Sequence, residues 1–331
     1  MFSNKTLLIT GGTGSFGTAM VDKLISSDVK EIRILSRDEK KQDDMRNFYR
    51  NEKLKFYIGD VKDYQSIAYA FINVDYVFHA AALKQVPTCE FFPLEALKTN
   101  ILGSNNVIDA CLAHHVKRAV FLSTDKAVMP LNALGMSKGL MEKNIIARSH
   151  HLLPSDTILT IARYGNILAT RGSVIPNFLK QIEQNIPLTI TNPYMSRFMM
   201  SIDDALSLVI NSLTYGQQGD IFVKKAPAAT IDTLTKALLK GLGIDHPITY
   251  IGTRHGEKDV EMLVTSEESL RIVDKPNYSY IPADKRNLDY NLYFNEGYHN
   301  GKKHLPFTSE NTEQLDVDQL LVLLRKAQIV K

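Results

Sequence analysis

KTLLITGGTGSFGTAMVDKL, Lys5 to Leu24, passes from an apolar stretch of strand length through a glycine-rich turn into a stretch with helical spacing of apolar residues. Gly11, Gly14 and Gly17 stand at three-residue intervals in that turn. Glycine is needed where a backbone turns tightly, where it approaches a pyrophosphate, and where a helix packs closely on a strand. The first turn of the following helix offers free N–H groups to an anion. Placed between strand and helix, the pattern reads as a dinucleotide cradle formed by Gly11, Thr13, Gly14, Ser15, Phe16 and Gly17.

The rest of the first half repeats this alternation. LLIT, IRILS, LKFYI, DYVFHA, RAVFLS and TILTIAR are short, nearly continuous apolar runs separated by segments of helical period. Such runs suit parallel strands covered by helices on both faces. The expected fold is α/β, a Rossmann-like doubly wound parallel sheet over residues 1–165, with a smaller mixed C-terminal lobe over 166–331. Helices are expected around Val174 to Asn185, Ser201 to Leu213 and in DVDQLLVLLRKA, and a strand near 220–225 is expected to rejoin the main sheet. Residues 276–312, rich in Asn, Tyr and Lys and poor in aliphatics, read as a long surface loop or an arm of an oligomer.

Composition narrows the function classes. The 331 residues are 44% hydrophobic and 23% charged, enough to bury a large core. The formal charge of +3 comes from 39 basic residues interspersed with 36 acidic ones, without the basic face that nucleic acid requires. Cys89 and Cys111 fit neither a disulfide framework nor a zinc site, and read as buried thiols. His114, His115, His150 and His151 lack a third ligand at workable spacing, so no metal is expected. With no membrane-length apolar run and no cleavable leader pattern, the cytoplasm is the expected address.

The second strand ends in LSRDE, roughly twenty residues after Gly17, where an acidic residue holds the ribose hydroxyls of NAD. Here Ser36 and Arg37 occupy that point. A guanidinium suits a 2′-phosphate, which favours NADP, while Asp38 beside it leaves NAD open. Asp60 and Val61 after the third strand are placed beside the adenine. Ala80, Ala81 and Ala82 give a ring system room, and Lys84 after them is placed toward both cofactor and substrate. Asn100 completes the expected cofactor set.

TGGTGSFG, LSRDEKKQDD, YIGDVKD, HAAALKQVP, LSTDKA, RYGN, RGSVIP and RHGEK, in that order, resemble an extended short-chain dehydrogenase/reductase of the nucleotide-sugar class. More narrowly, the chain resembles UDP-N-acetylglucosamine 4,6-dehydratases that invert carbon 5, of the capsule and O-antigen UDP-L-FucNAc type, from residue 6 to about 312. That resemblance implies tightly bound NADP, regenerated in each turnover: carbon 4 is oxidised, water is lost across carbons 5 and 6, and the hydride returns to carbon 6. It also implies UDP-GlcNAc as substrate and a homo-oligomer, hexameric in similar proteins.

By the same resemblance Lys126 is the base at carbon 5, Asp125 the acid for the departing hydroxyl, and Thr124 their neighbour. Retaining relatives carry Glu where Lys126 stands. Adjacent strand residues point to opposite faces, so both can serve one sugar only where the strand ends or breaks. Lys126 must also lose its proton, which burial or a neighbouring cation such as Lys138 favours. Most of the superfamily places a tyrosine one helical turn before its lysine, but here the pattern is Leu134-x-x-x-Lys138. Leucine carries no proton; the similar subgroup has methionine there, which carries none either. Lys126, or Thr124 through a water, is expected to take over, with Lys138 still holding the nicotinamide ribose. Asn166, Arg171 and Val174 are placed on the nucleotide half of the substrate, and Arg197, Arg254 and Glu257 on its phosphates or ribose. Two alternatives stay open: a UDP-sugar 4-epimerase, and a catalytically silent NADP-binding sensor or scaffold.

Overall fold

The computed structural model describes residues 1–284, 290–297 and 305–330. Six parallel strands form the heart of the sheet: β1 (Thr6–Thr10), β2 (Glu31–Ser36), β3 (Leu54–Ile58), β4 (Tyr76–His79), β5 (Arg118–Leu122) and β6 (Ile158–Arg163). Their order is β6-β5-β4-β1-β2-β3, each pair parallel, the α/β Rossmann-like arrangement that the apolar runs imply. Leu7 to Thr10 are wholly buried, because helices cover both faces of β1. One face packs Leu8, Val77, Phe121 and Ile161 against Val107, Cys111, Met141 and Ile145. The other packs Leu7, Ile9, Phe78 and Val120 against Met20, Val21, Leu206 and Val209. Both cysteines are free and buried.

The second half of the chain extends this sheet. Ile221–Val223 lies parallel to β6, Ser279–Ile281 pairs antiparallel with it, and Val273–Asp274 forms the edge, nine strands in all among the described residues. Residues 276–312 are therefore not simply a loop. Ser279 and Ile281 are buried in the sheet, Tyr290–Asn295 is helical, and Phe307–Thr308 pairs with Met262–Val264. Three-residue pairings sheltered by a neighbouring strand need little aliphatic content of their own. Within this stretch, residues 285–289 and 298–304 lie outside the described residues. A separate core of Ile175, Phe178, Leu188, Leu234, Leu238 and Leu320 joins helices Val174–Glu183, Ile231–Leu242 and Val317–Lys326.

Arg163 ties these parts together. At the end of β6 it donates to both oxygens of Glu142, at 3.0 and 2.6 Å, and to both of Glu268, each at 2.9 Å. All three residues are buried, and the two carboxylates outweigh the burial that would otherwise discharge the guanidinium.

The order of strands also sets where a ligand can lie. The chain leaves β1 for β2 on one side and meets β4 on the other, so a crevice opens beyond their carboxyl ends.

Candidate active site

That crevice is a cleft of about 540 Å³. Its phosphate end is the turn after β1. Gly11 has φ +64°, and a Cβ there would meet the Ala81 Cα at 2.8 Å, so the two strand ends approach as only glycine allows. A Cβ on Gly17 would lie 2.2 Å from the Gly12 carbonyl oxygen, which makes Gly17 a packing residue behind the wall. Thr13, Gly14, Ser15 and Phe16 line the cleft, and the helix Ser15–Leu24 begins there without a side-chain cap. Its first N–H groups are left for a ligand.

Beyond β2, the Ser36 hydroxyl accepts from Gln42 Nε2 at 3.1 Å. Arg37 reaches Asp60 at 3.5 Å and keeps most of its side chain in solvent. Asp38 caps the helix Glu39–Tyr49, accepting from the Lys41 N–H at 3.0 Å and pairing with the Lys41 ammonium, contacts that hold its carboxyl below the usual range. Asp60, Val61, Ala80, Ala81, Ala82 and Lys84 complete this wall. Asn100 stands behind it: its amide bonds both backbone groups of Leu83 and the Ser137 hydroxyl, so it splints the wall rather than lining it.

A loop crosses above the cradle. The Arg171 N–H donates to Ser15 Oγ at 3.3 Å, and its carbonyl accepts from Lys84 Nζ at 2.7 Å. Arg171 thus bridges the turn after β1 and the wall at Lys84. Burial, and then Arg171, hold the Lys84 ammonium below its ordinary pKa. Val174, the first residue of its helix, packs half-buried on the third core. Asn166 does line the cleft, with its buried Oδ1 unpartnered.

At the far end lie Thr124, Asp125 and Lys126. β5 stops at Leu122, and a single 3₁₀ turn over Asp125–Ala127 breaks the alternation that would send neighbours to opposite faces. Lys126 Nζ therefore comes within 3.0 Å of Asp125 Oδ1, with both residues on the cleft. A second carboxylate, Glu261, approaches Lys126 Nζ to 3.1 Å. Burial works to discharge Lys126, but Asp125 and Glu261 outweigh it and raise its pKa, against the depressed value expected of a resting base. The opposing cations are Arg197 and Lys258. Lys138 instead donates to the Leu122 carbonyl at 2.9 Å, and burial lowers its pKa to about 8. Leu134 lines the cleft and packs with Cys89, Ala96 and Val86.

Arg197, Arg254 and Glu257 stand outside the cleft lining. Arg197 donates to the Ser196 and Asp259 carbonyls. Arg254 and Glu257 pair at 3.8 Å in a loop docked on the start of the helix Ala133–Ser149 by Asn132 Nδ2 to the Gly256 carbonyl, 2.7 Å. Sequence reasoning missed Glu261 and Lys258, which reach Lys126 through the fold, and Tyr164, which lines the cleft beside Asn166.

The residues present fit a dinucleotide. The glycine cradle admits a backbone approach that a Cβ would block, and the buried hydroxyls of Thr99, Ser123 and Ser173 face the cleft without partners. Among the described residues no helix is long and apolar enough to cross a membrane, and no His, Cys, Asp and Glu cluster could hold a metal.

Known proteins place the chain. Residues 7–283 match the family model described as polysaccharide biosynthesis protein, and 284–331 the one described as its C-terminal part. A Rickettsia typhi protein named UDP-glucose 4-epimerase is 54% identical over 328 residues, 98% of this chain and 96% of its own. The crystal structure of Pen from Bacillus thuringiensis is 33% identical, with a TM-score of 0.91 and full coverage of both chains. A UDP-N-acetylglucosamine 4-epimerase from Methanobrevibacter ruminantium, 23% identical, shares the fold with a TM-score of 0.68 over 77% of this chain and 87% of its own. Matched along nearly its whole length, the chain belongs to the polysaccharide biosynthesis protein family of extended short-chain dehydrogenase/reductases.

Proposed function

We propose that the protein is an NADP-dependent UDP-N-acetylglucosamine 4,6-dehydratase that inverts carbon 5. The observation that carries this reading is the Lys126–Asp125 pair, 3.0 Å apart at the cleft end opposite the cradle. NADP, when bound, supplies a hydride acceptor at carbon 4 and returns the hydride at carbon 6. The chain supplies everything else. Arg37 meets the 2′-phosphate while Asp38 is occupied as a helix cap, the turn after β1 holds the pyrophosphate, and the loop through Arg171 closes over it. With no phenol at Leu134, Lys126, as the amine left once its proton has moved to Asp125, also takes the proton of the 4-hydroxyl, directly or through Thr124 and a water. The pair then passes one proton to solvent, so that it again shares a single proton when elimination begins.

For the elimination, Lys126 passes a proton to Asp125 along their hydrogen bond, which makes an amine base and a carboxylic acid at once. The amine then takes the proton on carbon 5, acidified by the ketone at carbon 4. The electron pair of that carbon–hydrogen bond forms the carbon 5–6 double bond, and the 6-hydroxyl leaves as water with the proton from Asp125. The ammonium and carboxylate pair is restored, and when the hydride returns to carbon 6 a solvent proton added to the opposite face of carbon 5 completes the product. Exposed Phe91, Phe92, Leu94, Met136 and Leu140 support self-association of the chain.

The names of the Rickettsia relatives favour a second reading, a UDP-sugar 4-epimerase. Epimerisation needs no acid at carbon 6, so the buried pair would be idle. Incubation with UDP-GlcNAc and with UDP-glucose separates the readings by mass spectrometry. Loss of one water supports the dehydratase, a 4-epimer of unchanged mass supports the epimerase, and neither product leaves the silent sensor. NMR of product made in D₂O then shows solvent deuterium at carbon 5 with L-configuration. A Lys126→Ala variant loses water release by about 10² to 10⁴, the range a positioned base contributes. A D-configured product or a retained carbon 5 proton would sink the role given to Lys126.

A further inference from the structure

Glu261 has no place in the reading above, yet it is 2% exposed and sits on the ammonium of the base. Its Oε1 lies 3.1 Å from Lys126 Nζ, and its Oε2 is buried with no hydrogen-bond partner. The backbone around it is pinned. The Glu261 N–H donates to Ser309 Oγ at 2.9 Å, the Ser309 N–H returns a bond to the Glu261 carbonyl at 2.8 Å, and Ser309 Oγ meets Ser196 Oγ at 2.6 Å. A carboxylate so enclosed is retained only with a charge to face, and Lys126 supplies it.

We propose that Glu261 is a positioning residue for the elimination: it keeps the shared proton on the Lys126–Asp125 pair and holds the ammonium that forms when Lys126 takes the carbon 5 proton. The inference rests on the dehydratase reading and adds to it a part drawn from 135 residues further along the chain. The charged groups facing Lys126 are Asp125, Glu261, Arg197 and Lys258. Two are cations that push its proton off. With Asp125 alone opposing them, Lys126 would lose that proton sooner, leaving an ionised Asp125 beside a neutral amine. That state has a base but no acid. Glu261 delays its appearance, and its fixed backbone keeps Nζ beside Asp125 Oδ1.

The reacting form carries one proton between Lys126 and Asp125, so turnover follows a bell, and its alkaline limb reports loss of that proton. Glu261→Gln keeps the volume and removes the charge. An opposite charge at this distance shifts a pKa by about one to three units, so the alkaline limb of kcat/KM moves down by at least about one unit. The kcat at neutral pH falls by up to about tenfold for each unit, while KM for UDP-GlcNAc and the dinucleotide content stay near wild type. Glu261→Asp, which draws the carboxylate back, moves the limb part of the way.

Water release from UDP-GlcNAc is followed across pH for wild type and both variants, with thermal melts alongside. A wild type that releases no water overturns the dehydratase reading and this inference with it. An active wild type, with the limb unmoved in Glu261→Gln, overturns the inference alone. If Glu261→Gln does not accumulate folded, Glu261→Asp decides by the same measurement. A limb unmoved there, or a loss of turnover equal at every pH, reduces Glu261 to a structural ion pair and overturns the proposal.

Discussion

Gly135→Ala tests how finely the base must be placed. Gly135 lies in the first turn of the helix Ala133–Ser149, and a Cβ there would sit 2.2 Å from the Lys126 carbonyl oxygen and 3.1 Å from Pro130 Cβ. Carbon and oxygen in comfortable contact stand about 3.3 Å apart, so one side must move by roughly 1 Å. The helix is long and seated on the core through Met141 and Ile145, whereas Lys126 belongs to a single turn. The turn gives way, and Lys126 Nζ leaves its place between Asp125 and Glu261. A displacement of about 1 Å costs roughly 10² in rate. Helix propensity alone predicts the opposite sign for stability, since alanine is favoured over glycine by about 1 kcal/mol in a helix interior. The expected result is a kcat for water release down about 10²-fold, dinucleotide still bound, and a denaturation midpoint lowered by the overpacking, which costs about 1 to 3 kcal/mol. A variant more stable than wild type, with turnover within about threefold, would refute both the contact and the claim that Lys126 is narrowly placed.

Three further outcomes are expected. Arg37→Ala weakens NADP on stripped protein by about 10- to 100-fold, as loss of a charge-assisted bond implies, and leaves NAD nearly unchanged; equal weakening of both in calorimetry would remove Arg37 from the 2′-phosphate. Leu134→Met, a volume-conserving change among Cys89, Ala96 and Val86, keeps turnover within about threefold. An inert wild type revived by Leu134→Tyr would favour the silent-scaffold reading instead. Lys138 has a folded pKa lowered by burial from 10.5 to about 8, so between those values the unfolded chain binds more protons and stability rises with pH. The penalty is present in full below pH 8 and amounts to about 3 kcal/mol. Denaturation of stripped Lys138→Met across pH 7 to 10.5 therefore lacks that rise, and a slope matching wild type would place the titration elsewhere.

β1, β4, β5 and β6 were legible because each is a nearly continuous apolar run whose burial on both faces leaves its mark residue by residue, while the edge strand β3 keeps an apolar run with Lys55 and Ile58 exposed. The turn after β1 was legible because its glycines answer to local backbone demands. Ser279–Ile281 was not, since its place depends on the open edge of Ile221–Val223, a partner far along the chain. The seat of Arg171 was not legible either, since it is set by Ser15 and Lys84 across the cleft. Glu261 lies just past the RHGEK stretch that pointed to Arg254 and Glu257, and nothing local marks it as the residue that meets Lys126.

The buried Arg163 clamp has a consequence for traffic through the cleft. Parting the two halves of the molecule would strip the guanidinium from Glu268, and breaking such a pair costs about 3 to 5 kcal/mol. The loop through Arg171 is fastened over the cradle by single hydrogen bonds to Ser15 and Lys84, both at the surface and each worth about 1 kcal/mol net. On these magnitudes, unfastening that strap costs less than hinging two lobes. For a dinucleotide held as proposed, residence time would then be a property of that loop, to be changed at Ser15 or Lys84 without disturbing the body of the fold.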